Sequence, residues 1–357
     1  MDIPGSRLHN QRITGGGFES PGAAVAWMGA VQAQDYRGAL WALGLRMGAA
    51  TEAAVEQAIA ERTVVRSWPM RGTLHFVAPA DLRWMLALLT PRVVAGQKSR
   101  HRQLGLDQAD FDRSRDLLTR ALEGGRQLTR DAAYQVLEAA GVSTAGQRGI
   151  HILARLAQDG LLCFAARQGN QQTFALLDEW LPSARPMERD EALAELAGRY
   201  FTSHGPATRE DFTWWSGLTV ADARLGIELA GPRLEEETLE GRVYWHGAAE
   251  PGAAPAVSPA PSTAWLLPPY DEYTVAYRDR SAVLDPAWGR LVSGNGIFYP
   301  TIVLDGQVAG TWKRVFKKGT VVITLSPFSP LKKKERQAIA AAAERYGAFL
   351  GLPAVLE

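Results

Sequence analysis

The chain has a single cysteine among its 357 residues, and several other common ingredients are missing too. Cys163 has no second thiol with which to form an internal disulfide, and its place in the apolar run Leu161-Leu162-Cys163-Phe164 reads as core packing. No apolar stretch approaches the ~20 residues that a membrane-spanning helix needs, and residues 1–17 lack the apolar core of a secretory signal, so a cytoplasmic protein without membrane association is expected. An excess of one charge is also absent. The 39 basic side chains face 38 acidic ones, so any polyanion partner must be argued from local clusters. There is no phosphate-binding G-x-x-x-x-G-K sequence and no G-x-S-x-G nucleophile elbow, and the six histidines stand singly, without metal-ligand spacing. Gly294-Asn295-Gly296 is too short for a dinucleotide fingerprint and reads as a turn. No metal, nucleotide or other cofactor is therefore expected, and a serine-hydrolase mechanism is excluded.

What the chain does have is a pattern that recurs three times: amphipathic helices joined by a short polar turn, a further helix, then two short β-prone runs around a tight turn. In the clearest copy a helix at 111–123 leads through Gly124-Gly125-Arg126 to Thr129, placed to cap a helix ending near Ala140. A third helix spans 144–158, and strands at 161–165 and 172–176 flank a turn at 167–170. This is the order of a winged helix, a helix-turn-helix with a hairpin attached. Another copy repeats it: a helix at 194–204, a Thr208-capped start, a recognition helix after Thr219, and strands at 233–239 and 242–246 around Glu240-Gly241. The first copy is less regular, with helices near 21–31 and 52–62 and a hairpin at 64–77. Four prolines and no periodicity mark 247–262 as a linker, after which the period shifts toward two, with strands at 264–267, 297–304, 308–316 and 320–325. Asp305-Gly306 joins two of them, and a helix at 331–350 closes the chain. The expected fold is α+β, mainly α. Winged helices occupy 1–105, 106–182 and 183–246, the linker 247–262, and a β-rich, barrel-like domain 263–357.

Two kinds of segment carry chemistry. Cations gather at Arg92, Lys98, Arg100, His101 and Arg102, and again at Lys313, Arg314, Lys317 and Lys318, where Trp312 and Phe316 interleave with them as expected for a surface meeting phosphates and bases. Lys332-Lys333-Lys334 reads more simply as a solvated face. The other segment is Gln32-Ala33-Gln34-Asp35-Tyr36-Arg37. If the chain is extended there, Gln32 and Gln34 point the same way and offer paired carboxamides to a water or a base edge. The alternative is that they cap the free carbonyls of the preceding helix.

The run from Gly29 to Tyr36, the hairpin from Val65 to Val77, the stretch Tyr200-Phe201-Thr202-Ser203-His204-Gly205-Pro206-Ala207-Thr208, and the pair Leu267-Pro268-Pro269-Tyr270-Asp271-Glu272-Tyr273 with Gly310-Thr311-Trp312-Lys313-Arg314 resemble the AlkZ-type winged-helix DNA glycosylases over nearly the whole chain. The resemblance implies three tandem winged helices and a C-terminal β-barrel around a concave DNA-binding surface. It also implies removal of alkylated purines and, in some members, unhooking of interstrand crosslinks made by bacterial antibiotics. The family's catalytic element, a Gln, an apolar residue, then Gln or Asp, falls on Gln32-Ala33-Gln34, so the chain resembles the two-glutamine branch, whose members are often linked to self-resistance.

Physical chemistry agrees with that implication. Breaking an N-glycosidic bond develops oxocarbenium character at the sugar, and an acid normally neutralises the departing base. A purine alkylated at N7 or N3 already carries positive charge and leaves as a neutral species. A glutamine carbonyl that aligns a water beside C1′ then suffices. The expectation is thus a monomeric, monofunctional N-glycosylase acting on double-stranded DNA, with Gln32 and Gln34 catalytic and Asp35 as an additional candidate. Candidate DNA contacts are Arg37; Arg66, Trp68 and Arg71 in the first wing; Lys98, Arg100 and Arg102; Tyr270, Asp271 and Tyr273 after the stiff Pro268-Pro269 entry; and Lys313, Arg314, Lys317 and Lys318. A noncatalytic winged-helix regulator is the competing class, and a protein-binding scaffold a third.

Overall fold

The computed structural model describes residues 1–181, 184–248 and 263–357. They form an α+β protein, about half helical, in two compact units: Met1–Val55 with Leu193–Glu357, and Glu56–Ala192. The bounds of these units fall inside the helices Glu52–Ala60 and Arg189–His204. Of the expected linker, 249–262 lie outside the described residues.

In the unit Glu56–Ala192, five strands run antiparallel in the order Thr73–Val77, Val65–Met70, Leu162–Phe164, Thr173–Leu176, Leu128–Thr129. Helices Gln108–Leu122, Arg130–Ala139 and Arg148–Gln158 bury Leu118, Leu122, Leu137, Ile152, Leu153 and Leu156 in one core with Trp68, Phe164 and Phe174. Thr129 caps its helix, its hydroxyl accepting from the Ala132 N–H at 3.2 Å. The long helix Pro79–Gln103 is the element that the recurring pattern did not foresee; its last turn carries Arg100 and Arg102, cations that complement the carbonyl end.

The other unit holds two further sets of elements. Helices Arg209–Ser216 and Val220–Ala230 start at Thr208 and Thr219, and Thr208 forms a reciprocal capping box with Asp211. They precede the hairpin Leu234–Leu239 with Arg242–Gly247, whose turn residues Glu240 and Gly241 take φ of 51° and 76° as a tight hairpin requires. Farther along the chain, a curled half-barrel sheet runs in the order Ala354–Leu356, Thr320–Pro327, Gln307–Lys317, Thr301–Leu304, Ala264–Leu267, the first pair parallel and the rest antiparallel. Helix Lys333–Leu350 lays Ile339, Ala343, Tyr346 and Phe349 on its buried side.

Helix Tyr36–Leu45 docks against this assembly. Trp41 meets Tyr346 and Phe349 at ring-centroid distances of 5.1 and 5.0 Å and donates its indole N–H to the Leu266 carbonyl at 2.8 Å. A Cβ at Gly44 would come within 2.6 Å of the Phe349 ring, so glycine sets how closely the helix can approach.

Candidate active site

The glutamine segment is held from both ends. Helix Pro21–Met28 stops at Gly29, whose φ of 73° turns the chain, and Val31–Gln32 continues as a two-residue strand. At the far end Asp35 caps helix Tyr36–Leu45, its Oδ1 accepting from the Gly38 N–H at 2.5 Å. Glycine at 38 also leaves room for Pro269, which a Cβ there would meet at 3.1 Å. The extension that would keep Gln32 and Gln34 in phase ends at Gln32, and the chain bends at Gln34 and Asp35. Gln32 is consequently 6% exposed while Gln34 is open to solvent.

The surroundings of Asp35 are basic and aromatic. Its Oδ1 lies 3.5 Å from Arg314 Nη2. The Arg314 guanidinium also sits 5.7 Å from the ring centre of Tyr346, whose burial pushes the phenol up to about 12. The exposed Arg37 stands over the ring of Phe316 at 5.3 Å, and Phe316 is itself 43% exposed. From Val315 to Lys318 both faces of the strand end are open, and Lys313, Lys317 and Lys318 are exposed. Tyr270, half-buried at a φ of 60°, has its hydroxyl pKa raised by burial and then by the charge of Asp35. The structure thus gathers Gln34, Asp35, Arg37, Arg314 and Tyr270 around one helix start.

Other candidates are placed differently. Asp271 and Tyr273 are fully buried, so the expectation that Pro268-Pro269 presents them to DNA is corrected. Asp271 pairs with Arg46 at 2.9 and 3.0 Å, and the Tyr273 hydroxyl donates to the Gly306 carbonyl at 2.7 Å. Trp312 is 1% exposed and donates to the Leu267 carbonyl, so it packs beneath the cationic strand instead of interleaving at its surface. In the other unit Trp68 lies in the core, 5.0 Å from the Phe164 ring, and the buried Arg66 covers the same ring at 4.7 Å. These two also serve packing. Arg71 sits in the hairpin turn with Nη2 3.2 Å from His75 Nε2. Lys98, Arg100 and Arg102 are exposed on the end of their helix, Arg100 donating to Gln147 and Gln103.

Sequence reasoning overlooked what lies behind Gln32. The backbone N–H of Gln32 donates to Glu272 Oε1 at 2.7 Å, and the indole of Trp215 donates to Glu272 Oε2 at 3.0 Å. His204 Nε2 is 3.5 Å from the same oxygen, and burial lowers the histidine's pKa despite the pull of Glu272. Arg46 adds Gln11 Oε1 at 2.7 Å, Gln11 donates to the Tyr277 hydroxyl at 2.9 Å, and Tyr277 donates to the His204 carbonyl at 2.7 Å. The two adjacent acids Asp271-Glu272 amid aromatic residues were the available signal.

The family model described as DNA glycosylase AlkZ-like matches residues 25–349. This chain belongs to the AlkZ-like DNA glycosylase family. It is similar to the interstrand DNA cross-link repair glycosylase of Streptomyces sahachiroi, with 28% identity over 323 residues and 86% of each chain covered. The solved structure of the Streptomyces sahachiroi DNA glycosylase AlkZ aligns with 100% of this chain and 98% of its own, at a TM-score of 0.81 and 25% identity. The glycosylase is therefore an enzyme of N-glycosyl bond hydrolysis acting on DNA. Among the described residues, none of its helices is long and apolar enough to cross a membrane, and no group of three or more His, Cys, Asp or Glu side chains could hold a metal ion.

Proposed function

We propose that this glycosylase removes cationic N7- and N3-alkylated purines from double-stranded DNA, with Gln32 and Gln34 aligning the attacking water, and that it unhooks interstrand crosslinks of the same chemistry. One observation carries the reading: the carboxylate that follows the glutamines in the chain, Asp35, is engaged as a helix cap and ion-paired to Arg314. The segment then offers neutral amides rather than a free acid, and neutral amides suit a base whose own positive charge has already weakened its bond. Asp35 holds the segment in place. Arg37, Lys313, Arg314, Lys317 and Lys318, with Lys98, Arg100 and Arg102, are the phosphate contacts, and Tyr270 faces the nucleotide.

The finer architecture belongs to the same reading. The helix, helix, helix, hairpin order of 108–176 and of 189–247 is that of winged helices, with a third copy ending in the hairpin Val65–Met70 and Thr73–Val77. The enzyme acts as a monomer in the cytoplasm, and its biological setting is self-resistance to a DNA-alkylating antibiotic. The name of the Streptomyces relative supports the crosslink part.

The test is release of bases from methylated and uracil-containing duplexes, read by mass spectrometry. N7-methylguanine or N3-methyladenine should be freed and uracil left in place, and Gln32→Ala or Gln34→Ala should slow single-turnover release while DNA binding survives. Uracil released as fast as the methylated bases would defeat the amide mechanism.

A further inference from the structure

We propose that Glu272 is a positioning residue for base excision, its buried carboxylate fixing the backbone at Gln32 so that the amide pair holds its attack geometry. The inference rests on the reading of Gln32 as catalytic. Glu272 is fully buried, and its two oxygens receive different donors, the Gln32 N–H at 2.7 Å and the Trp215 indole at 3.0 Å. Hydrogen bonds to a carboxylate are roughly twice as strong as neutral ones, which makes this a stiff tether for a two-residue strand.

The tether works because its anchor is itself immobile. Trp215 is fully buried, with its ring 4.9 Å from Tyr200 and 5.4 Å from His204. The preceding residue, Asp271, is clamped by the Arg46 fork and caps the short helix Glu272–Val275 through the Tyr273 N–H at 2.9 Å. Gln32 is thereby placed from beneath, while Asp35 holds the other end of the segment at the surface. Misplacing a reacting group by about 1 Å costs on the order of 100-fold in rate, so a support that touches neither DNA nor water still sets the speed of the chemistry.

The full-length Glu272→Gln variant tests this. The amide keeps the size of the carboxylate but offers one acceptor oxygen instead of two, so either Gln32 or Trp215 meets an NH2 group. Single-turnover release of N7-methylguanine should fall roughly 10- to 100-fold with unchanged affinity for the DNA. Hydrogen exchange over 29–36 should quicken while the helix Lys333–Leu350 keeps its protection. Trp215→Phe, which removes only the second donor, should slow release to a smaller extent. Should Glu272→Gln fold poorly, Trp215→Phe decides alone. Wild-type release by the deciding variant overturns the proposal, and so does slowed release with exchange at 29–36 unaltered. Gln32→Ala separates the two readings: if it releases base normally the catalytic assignment itself is lost, whereas slow Gln32→Ala with normal Glu272→Gln removes only the role of Glu272.

Discussion

Replacing Asp271 by asparagine should destabilise the protein far more than a one-atom change implies. Asp271 and Arg46 are both fully buried, at 0% side-chain accessibility, and the guanidinium commits two of its donors to this carboxylate. Asparagine leaves one acceptor for Arg46 and strands a buried positive charge with Gln11 Oε1 and the Ala42 carbonyl. Breaking a buried pair from one side costs about 3–5 kcal/mol, and the retained acceptor places Asp271→Asn near 3 kcal/mol. For a unit of this size that corresponds to a melting point lower by roughly 6–12 °C. Urea unfolding followed by circular dichroism, with the m-value checked for constancy, measures it. Adding Arg46→Met should recover much of the loss, since the stranded charge is then gone. A cost below about 1 kcal/mol for Asp271→Asn, or a double variant as unstable as the sum of the two single ones, would refute the reasoning.

Two further outcomes follow from groups described above. Burial holds the pKa of His75 well below its ordinary 6.5, with the Arg71 charge acting the same way, and burial also lowers that of His204. The unfolded chain therefore takes up these protons at higher pH than the fold does. Their contribution is complete above about pH 6.5 and is lost as pH falls, so melting points at about pH 7.5 and 5.5 should differ in favour of the higher, and equal values would contradict the buried neutral state. Replacing Lys317 and Lys318 together by alanine should flatten the dependence of log affinity on log salt by roughly 1.8, about 0.9 for each phosphate no longer neutralised. An unaltered slope would mean that the strand end does not touch the DNA backbone.

Local rules made much of the fold readable. Thr129 and Thr208 cap where their side chains predict, and Glu240-Gly241 and Asp305-Gly306 turn hairpins because each pair accepts positive φ. Helix Tyr36–Leu45 escaped notice because it is buried from Gly38 to Leu45, which removes the polar stripe by which a helix declares its period. The edge strand Ala354–Leu356 has three residues, too few for any alternation to register. At the site, the glutamines stood out as a motif, but their assumed alternation did not survive the bend at Gln34. Asp271 read as a DNA contact and Glu272 drew no reading, because their partners are 225 and 240 positions away and nothing near them in the chain announces Arg46 or Gln32.

That separation has a consequence for synthesis. The strand carrying Gln32 leaves the ribosome long before Glu272, and all of Glu56–Ala192 is made in between. The intervening unit can close on itself while the N-terminal residues still await their carboxylate, since long-range contacts form late when so much chain must be brought together. A nascent chain stalled before Glu272 lacks the acceptor for the Gln32 N–H and keeps only the local Asp35 cap, so the glutamine segment gains its second anchor only with the final quarter of the polypeptide.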